Sequence, residues 1–462
     1  MIKRRRILKK TLNKITDKIE NVLDSTKRNL DDIGMPIKTR KIAITGLSKS
    51  GKTVFITSLI DQLLHQKKIS LVTTKYKPFT AILKPPKASM QRFDYYSFSK
   101  SIKADSSWPN GTEKITSTIL EFESKTRFAL LGNSKFRLEL IDYPGEWILD
   151  IALLGIKYEQ WSEDILSWMK DLNEPLAEKY LDEISKLNDN SIPEEYEYLL
   201  HTKYFNMLRY FKDNHYSNLT PGRFLVPSDL MNDPILQFAP IPKSSSKLHK
   251  LFKKRYKHYI KNIVKEIHLE HFKGFDKQIV LIDIVEALQN GSNCYEDMKK
   301  GLQNMLSLYD HKNKNFISQF LSSSINNVTF VATKTDLVAS SQHNNYLALL
   351  NEMVEDIRRE LDVSHIKTNT QVVASIKCTQ TVMAKHNGKT LSCIRGIDSK
   401  TKAMVEIYPG EMPSSFPAVD EWDIDNYAFE EFLPPDKQYK KNEAFDHIHM
   451  DRVIELIIGD LL

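Results

Sequence analysis

Long apolar runs are missing from this sequence, and cysteines are few. No stretch of 18 or more apolar residues occurs in the 462 residues, so no membrane-spanning helix is expected. The apolar stretches at 278–288 and 453–462 are short and interrupted by acids such as Asp283 and Asp460. No apolar segment follows the basic start, so no secretory signal is expected either. The three cysteines, Cys294, Cys378 and Cys393, lack metal-ligand or redox spacing. Such a sparse, odd set excludes a disulfide framework and fits a reducing compartment, by default the cytoplasm. Acidic residues are absent from positions 1–14, where Lys3, Arg4, Arg5, Arg6, Lys9, Lys10 and Lys14 accumulate. Those charges equal the formal net charge of the whole chain, +7, so the rest is neutral overall.

Hydrophobic residues at 41% and charged residues at 27% suffice for a well-buried core, in two or three substructures at this length. Leu8, Leu12, Ile15, Ile19 and Val22 recur at helical spacing, so an amphipathic helix is expected over residues 7–30, ended by Gly34 and Pro36. Its basic face suits either its own domain or an anionic membrane surface. From residue 40 strands alternate with helices: strands at 40–45, 114–122, 135–141, 278–282, 327–332 and 370–375, with a helix across Val54–Leu64. This alternation predicts a parallel sheet covered on both faces. Residues 66–111 read as irregular because Pro78, Pro85, Pro86 and Pro109 punctuate them. Residues 147–275 read as mostly helical. Within them 247–265 carries eight Lys/Arg and no acid, with Leu248, Phe252, Tyr256, Ile260 and Ile263 on one stripe. The aromatics there are expected to be core, since no basic–aromatic RNA motif accompanies them and no nucleic-acid partner is expected. His447 and His449, two apart and without a third ligand, are expected at the surface.

Gly46-Leu47-Ser48-Lys49-Ser50-Gly51-Lys52-Thr53 fits G-x-x-x-x-G-K-[ST] completely. In such a loop Gly46 and Gly51 allow the turn, and the N–H groups from Ser48 to Val54 surround phosphates. Lys52 reaches the β- and γ-phosphates, and the Thr53 hydroxyl ligates Mg²⁺. Asp142-Tyr143-Pro144-Gly145 then closes a strand, which places Asp142 to hold the Mg²⁺ shell and the Gly145 N–H to meet the γ-phosphate. Thr333-Lys334-Thr335-Asp336 closes another. There the Asp336 carboxylate can accept the N1–H and exocyclic amine of guanine, and the Lys334 stem can lie over the base.

The order of these three motifs resembles the Ras-like GTPases. The resemblance implies a last base-contacting loop at Ser375-Ile376-Lys377, with Ile376 in place of the usual alanine. It also implies a switch threonine, Thr112 or alternatively Thr116, that ligates Mg²⁺ and contacts the γ-phosphate. Glu146 stands where that family places the glutamine that orients water, so slow intrinsic hydrolysis is expected, awaiting an arginine from a partner. Five stretches together, Gly46–Leu64, Asp142–Trp147, Pro221–Leu230, Phe275–Leu288 and Tyr408–Pro417, resemble the YcjX family of bacterial P-loop proteins. That resemblance implies an α/β P-loop NTPase fold, GTP/GDP and Mg²⁺ as ligands, a link to envelope stress, and a cytoplasmic protein that visits the inner membrane or a protein there. The expected layout is a basic segment (1–38), two halves of a GTPase domain (39–146 and 276–380), a helical insertion (147–275) and a small α+β extension (381–462). Two other readings stay open: an ATP-binding P-loop ATPase or kinase, and a nucleotide-stabilised, membrane-associated scaffold with vestigial hydrolysis. The oligomeric state is left open.

Overall fold

The computed structural model describes residues 37–47, 49–76, 78–111, 114–125, 133–172, 174–187, 195–225, 233–244, 246–266, 274–306, 325–386 and 388–462. The helix expected over 7–30, Ser48 and Thr112 lie outside them.

Consecutive apolar residues in β1 (Lys38–Gly46) are buried on both faces, as a central parallel strand requires. It pairs in parallel with β5 (Asn133–Asp142) on one side and with β6 (Lys277–Ile282) on the other. Beyond β6 lie β7 (Asn327–Ala332) and β8 (Lys367–Val372), both parallel. Beyond β5 the sheet turns antiparallel through β4 (Thr116–Lys125) and β2 (Phe79–Lys84), with the short β3 (Gln91–Arg92) also on β4. In β4 the buried Leu120 and Phe122 alternate with Glu121 and Glu123, the pattern of a sheet with one wet face.

Side-chain alternation divides the core in two. Ile42, Ile44, Ile279, Leu281 and Val331 face one cluster. It is filled by Phe55, Leu59 and Leu63 of α1 (Lys52–His65) and by Val453, Ile454 and Ile457 of the last helix, Met450–Ile458. Ala43, Val280, Ile282, Val328, Phe330 and Ala332 face the other, which is continuous with the helices of 145–264. The tail of the chain therefore returns to the sheet, and its backbone bridges Ala374 to Ile448.

Residues 66–111 are more regular than their prolines suggest. They hold α2 (Ser70–Lys75), β2, β3 and α3 (Tyr95–Lys103). Pro78 immediately precedes β2, Pro85 and Pro86 immediately follow it, and Pro109 follows α3, so the prolines bound elements instead of breaking them. The last sheet strand spans 367–372 rather than 370–375.

Between β5 and β6 the chain forms α4 (Gly145–Ile151), α5 (Tyr158–Leu172), α6 (Pro175–Ser185), α7 (Glu195–Asp213) and α8 (Lys247–Tyr259), the last prolonged by a π turn, Ile260–Val264. Trp161 centres this region, with ring centroids 5.8 Å from Tyr158, 5.5 Å from Phe238 and 5.2 Å from Tyr256. Hydroxyls of these buried aromatics satisfy the irregular backbone between α7 and α8. Tyr158 donates to the Ala239 carbonyl at 2.8 Å, Tyr180 to Pro240 at 2.9 Å and Tyr204 to Thr220 at 2.5 Å. After β8 come an antiparallel sheet of β9 (Gln380–His386), β10 (Lys389–Ile397) and β11 (Met404–Ile407). His447 and His449 are not at the surface as expected. They are half-buried, bonded to the Lys68 and Val372 carbonyls at 2.9 and 3.0 Å.

Candidate functional site

The motif-bearing loops gather at the C-terminal edge of the parallel strands, where open α/β sheets bind ligands. Gly46 ends β1 under tight packing: a Cβ there would sit 2.4 Å from Ser50 Oγ and 2.8 Å from the Leu281 carbonyl. Lys49 and Gly51 take positive φ, 61° and 78°, which turns the backbone into α1. Lys52 and Thr53 open that helix, whose first turn holds no acid to compete with an anion. Asp142 ends the adjacent β5 and is buried, in register with Ile44 of β1. Gly145 touches the loop itself, since a Cβ on it would lie 2.0 Å from the Gly46 carbonyl oxygen.

A divalent cation beside phosphates is tested by the polar atoms around Asp142. Thr116 lies directly opposite it in the β4–β5 register, and its hydroxyl is buried without a hydrogen-bond partner among the described residues. Ser50 Oγ in the phosphate loop is in the same condition. Buried orphan hydroxyls, one in the phosphate loop and one opposite a carboxylate, fit an incoming ligand. No cluster of three or more His, Cys, Asp or Glu suited to a metal occurs among the described residues. That donor set matches Mg²⁺, which takes one carboxylate, hydroxyls, waters and phosphate oxygens.

The phosphate loop opens into a cavity of about 330 Å³ that Lys334, Asp336, Ser375 and Ile376 also line, within the size range of small-ligand sites. Lys334 adopts a left-handed conformation, and its ammonium pairs with Asp283 at 2.5 Å. Burial opposes that charge, but Asp283 outweighs it and raises the lysine pKa. Asp336 is buried, which raises its pKa. Cys378, donating from its backbone N–H at 2.9 Å and its thiol at 2.8 Å, works the other way. Ile376 is not a misfit for the missing alanine: its side chain is buried in a small cluster with Ile102 and Phe445, against Val54 and Trp108. The Ser375 carbonyl accepts from Ser58 of α1 at 2.5 Å, whereas Lys377 is exposed.

The helices between β5 and β6 grip both ends of this site. Glu146, next to Gly145, is half-buried. Burial works against its charge, but Lys212 of α7, 3.0 Å away, and Lys52 hold its carboxyl below the usual range. Three residues on, His215 bonds Glu286 at 2.5 Å, in the helix α9 (Ile284–Gln289) that Asp283 caps. The backbone then crosses α10 (Gly291–Leu306), where the Asp297 carboxylate accepts from Ser217 N–H at 2.5 Å and Asn218 N–H at 2.9 Å. It returns to α4, where Asp150 accepts from the Gly222 and Arg223 N–H groups at 2.7 and 2.9 Å and from Tyr259 at 2.5 Å. Burial lifts both Asp150 and Asp297 to about 6. Gly222 has no room for a side chain, since a Cβ would lie 2.1 Å from the Glu146 carbonyl oxygen, and Arg223 stacks 4.0 Å from the Trp147 ring centroid.

The profile described as YcjX-like family, DUF463, matches residues 40–462. The chain belongs to this family. It is 28% identical over 451 residues to a protein of Escherichia coli (strain K12) named Ras-like GTPase YcjX, covering 91% of this chain and 96% of that protein. A protein of the same name from Shewanella oneidensis (strain MR-1) is 28% identical over 499 residues, covering 98% and 99%. The fold is accordingly that of an α/β P-loop NTPase with a mostly parallel sheet, and no helix among the described residues is long and apolar enough to cross a membrane.

Sequence reasoning missed the groups that join the cavity to the rest of the chain. Trp108 lines the cavity and donates its indole N–H to the Phe432 carbonyl at 2.7 Å. Phe429 and Phe432, far along the chain, line it too. Lys212 and His215 lie in none of the recognised stretches, and Asp283 and Glu286 lie within Phe275–Leu288, which carried the family resemblance but no role for either residue. A second signal was position: Asp283 follows a strand between two motif-bearing ones, the place from which a side chain reaches the shared edge.

Proposed function

We propose that this chain is a Mg²⁺-dependent guanine-nucleotide-binding protein with slow GTPase turnover, whose inserted helices respond to the γ-phosphate. The observation that carries the reading is the shared cavity: the phosphate loop and the buried carboxylate of Asp336 line one space of nucleotide size. In this reading the N–H groups of the 46–53 loop hold the phosphates, with Lys52 at the β- and γ-oxygens. Thr53, Asp142 and a switch threonine would hold Mg²⁺, which neutralises charge developing on the transferred phosphoryl group. Of the two threonine candidates, Thr116 is favoured by its orphaned hydroxyl opposite Asp142. Asp336 accepts from the base, and Lys334, anchored on Asp283, lies along it.

Gly145 packs on Gly46, so a γ-phosphate contact at its N–H is felt by Glu146 and Trp147 next to it. Those two residues hold Lys212, Gly222 and Arg223 of the inserted region. This supports the insertion as the moving output of the nucleotide state. The ion pair of Glu146 also supports the scaffold reading, because a carboxylate bound to Lys212 is a poor base for an attacking water. Titration with GDP, ADP and XDP in Mg²⁺ buffer tests the nucleotide assignment. The reading expects GDP preference in the wild type and a shift toward XDP in Asp336→Asn. Equal or tighter ADP binding, unchanged by the substitution, would return the chain to the ATPase or kinase class.

A further inference from the structure

Asp336 is held from two directions by the residues that follow the Ser375-Ile376-Lys377 loop. Both contacts from Cys378, the N–H at 2.9 Å and the thiol at 2.8 Å, fall on Oδ2. The Thr379 hydroxyl donates to the Asp336 backbone carbonyl. The end of β7 and the segment after β8 are thereby joined at the base-reading carboxylate itself. Cys378 is half-buried and lines the cavity together with Asp336 and Ile376.

Resting on the guanine reading above, we propose that Cys378 is a positioning residue for base selection, whose thiol fixes the rotation of the Asp336 carboxylate. An ionised carboxylate has about four acceptor sites. Cys378 fills two of them, and guanine presents two donors, its N1–H and its exocyclic amine. A carboxylate so fixed faces the base with oxygens already oriented and rejects xanthine, whose C2 oxygen would meet it lone pair to lone pair. Burial, with Asp336 beside it, drives the thiol pKa well above its ordinary value, so the sulfur stays protonated and remains a donor.

The test measures Kd for GDP, XDP and inorganic pyrophosphate in the full chain for the wild type, Cys378→Ala, Cys378→Ser and Asp336→Asn. Pyrophosphate reads the phosphate loop alone and reports whether each variant is folded. The expected result is a GDP-over-XDP preference reduced about tenfold in Cys378→Ala, with pyrophosphate affinity unchanged, and restored in Cys378→Ser, whose hydroxyl also donates. An unchanged preference in Cys378→Ala, or equal losses for GDP, XDP and pyrophosphate, overturns the positioning role. Should Cys378→Ala not fold, a serine variant with weakened preference would overturn it as well. If Asp336→Asn fails to move preference toward XDP, the guanine reading itself falls, and that outcome is separate from failure of the Cys378 proposal alone.

Discussion

At the phosphate end of the cavity the decisive groups are backbone atoms with no space around them, as at Gly46, Gly145 and Gly222. At the base end they are charges held by partners: the buried Asp283 pairs with Lys334, and the buried Asp336 lies under Cys378. None of the three glycines tolerates an added Cβ, because a clash with a carbonyl oxygen cannot be relieved by a rotamer change. The base end depends on its charges and on the groups that hold them, because a buried ion without its partners is costly. Phosphate binding should therefore fail sterically and base selection electrostatically.

The largest effect expected to sharpen this contrast is at Gly145→Ala. Its Cβ would lie 2.0 Å from the Gly46 oxygen, so the phosphate loop or α4 must shift. Calorimetry should show loss of pyrophosphate and GDP binding together, by about 100-fold or more. Asp283→Ala breaks the other end: the partly exposed ammonium of Lys334 loses its partner and α9 loses its cap, and stability should fall by about 2 kcal/mol in denaturant titration. Pyrophosphate affinity should survive in the molecules that remain folded.

The carboxylates that pin the loop after α7 provide a pH test of comparable size. Asp150 has a folded pKa of about 6, against an ordinary 3.8. Between those values the folded chain holds a proton that the unfolded chain has released. This group's contribution therefore falls as pH rises from about 4 to about 6 and is level above that, by about 3 kcal/mol in all. Asp150→Asn should flatten that part of the stability profile relative to the wild type. Smallest is Lys377→Ala, an exposed residue of the base loop, expected to change stability by less than about 0.5 kcal/mol and GDP affinity about twofold at most.

Much of the fold was legible because parallel strands buried on both faces advertise themselves as apolar runs, as at Ile279–Ile282 and Val328–Ala332. The phosphate loop was legible because its chemistry demands fixed residues at fixed spacing. β2 was not, since an edge strand bounded by prolines has neither a full apolar run nor clean alternation. The join between Lys212 and Glu146 was not legible either. Ion pairs far apart in sequence obey no spacing rule, and Lys212 resembles any lysine at a helix end. The basic stripe of 247–265 divides only in part as its pattern implies: Leu248, Phe252 and Tyr256 are buried and Lys250, Lys254 and Lys257 exposed, but Arg255 is buried against Glu197 and the Gln237 carbonyl.

The central claim is that the inserted helices read the γ-phosphate through Glu146 and Trp147. Its most direct test is backbone hydrogen exchange across residues 204–225 with GDP and with a non-hydrolysable GTP analogue, in the wild type and in Lys212→Ala. The account predicts a change in protection between the two nucleotides in the wild type, centred on Lys212–Arg223, that shrinks in the variant. Identical exchange with both nucleotides, at saturating concentration of each, would contradict it.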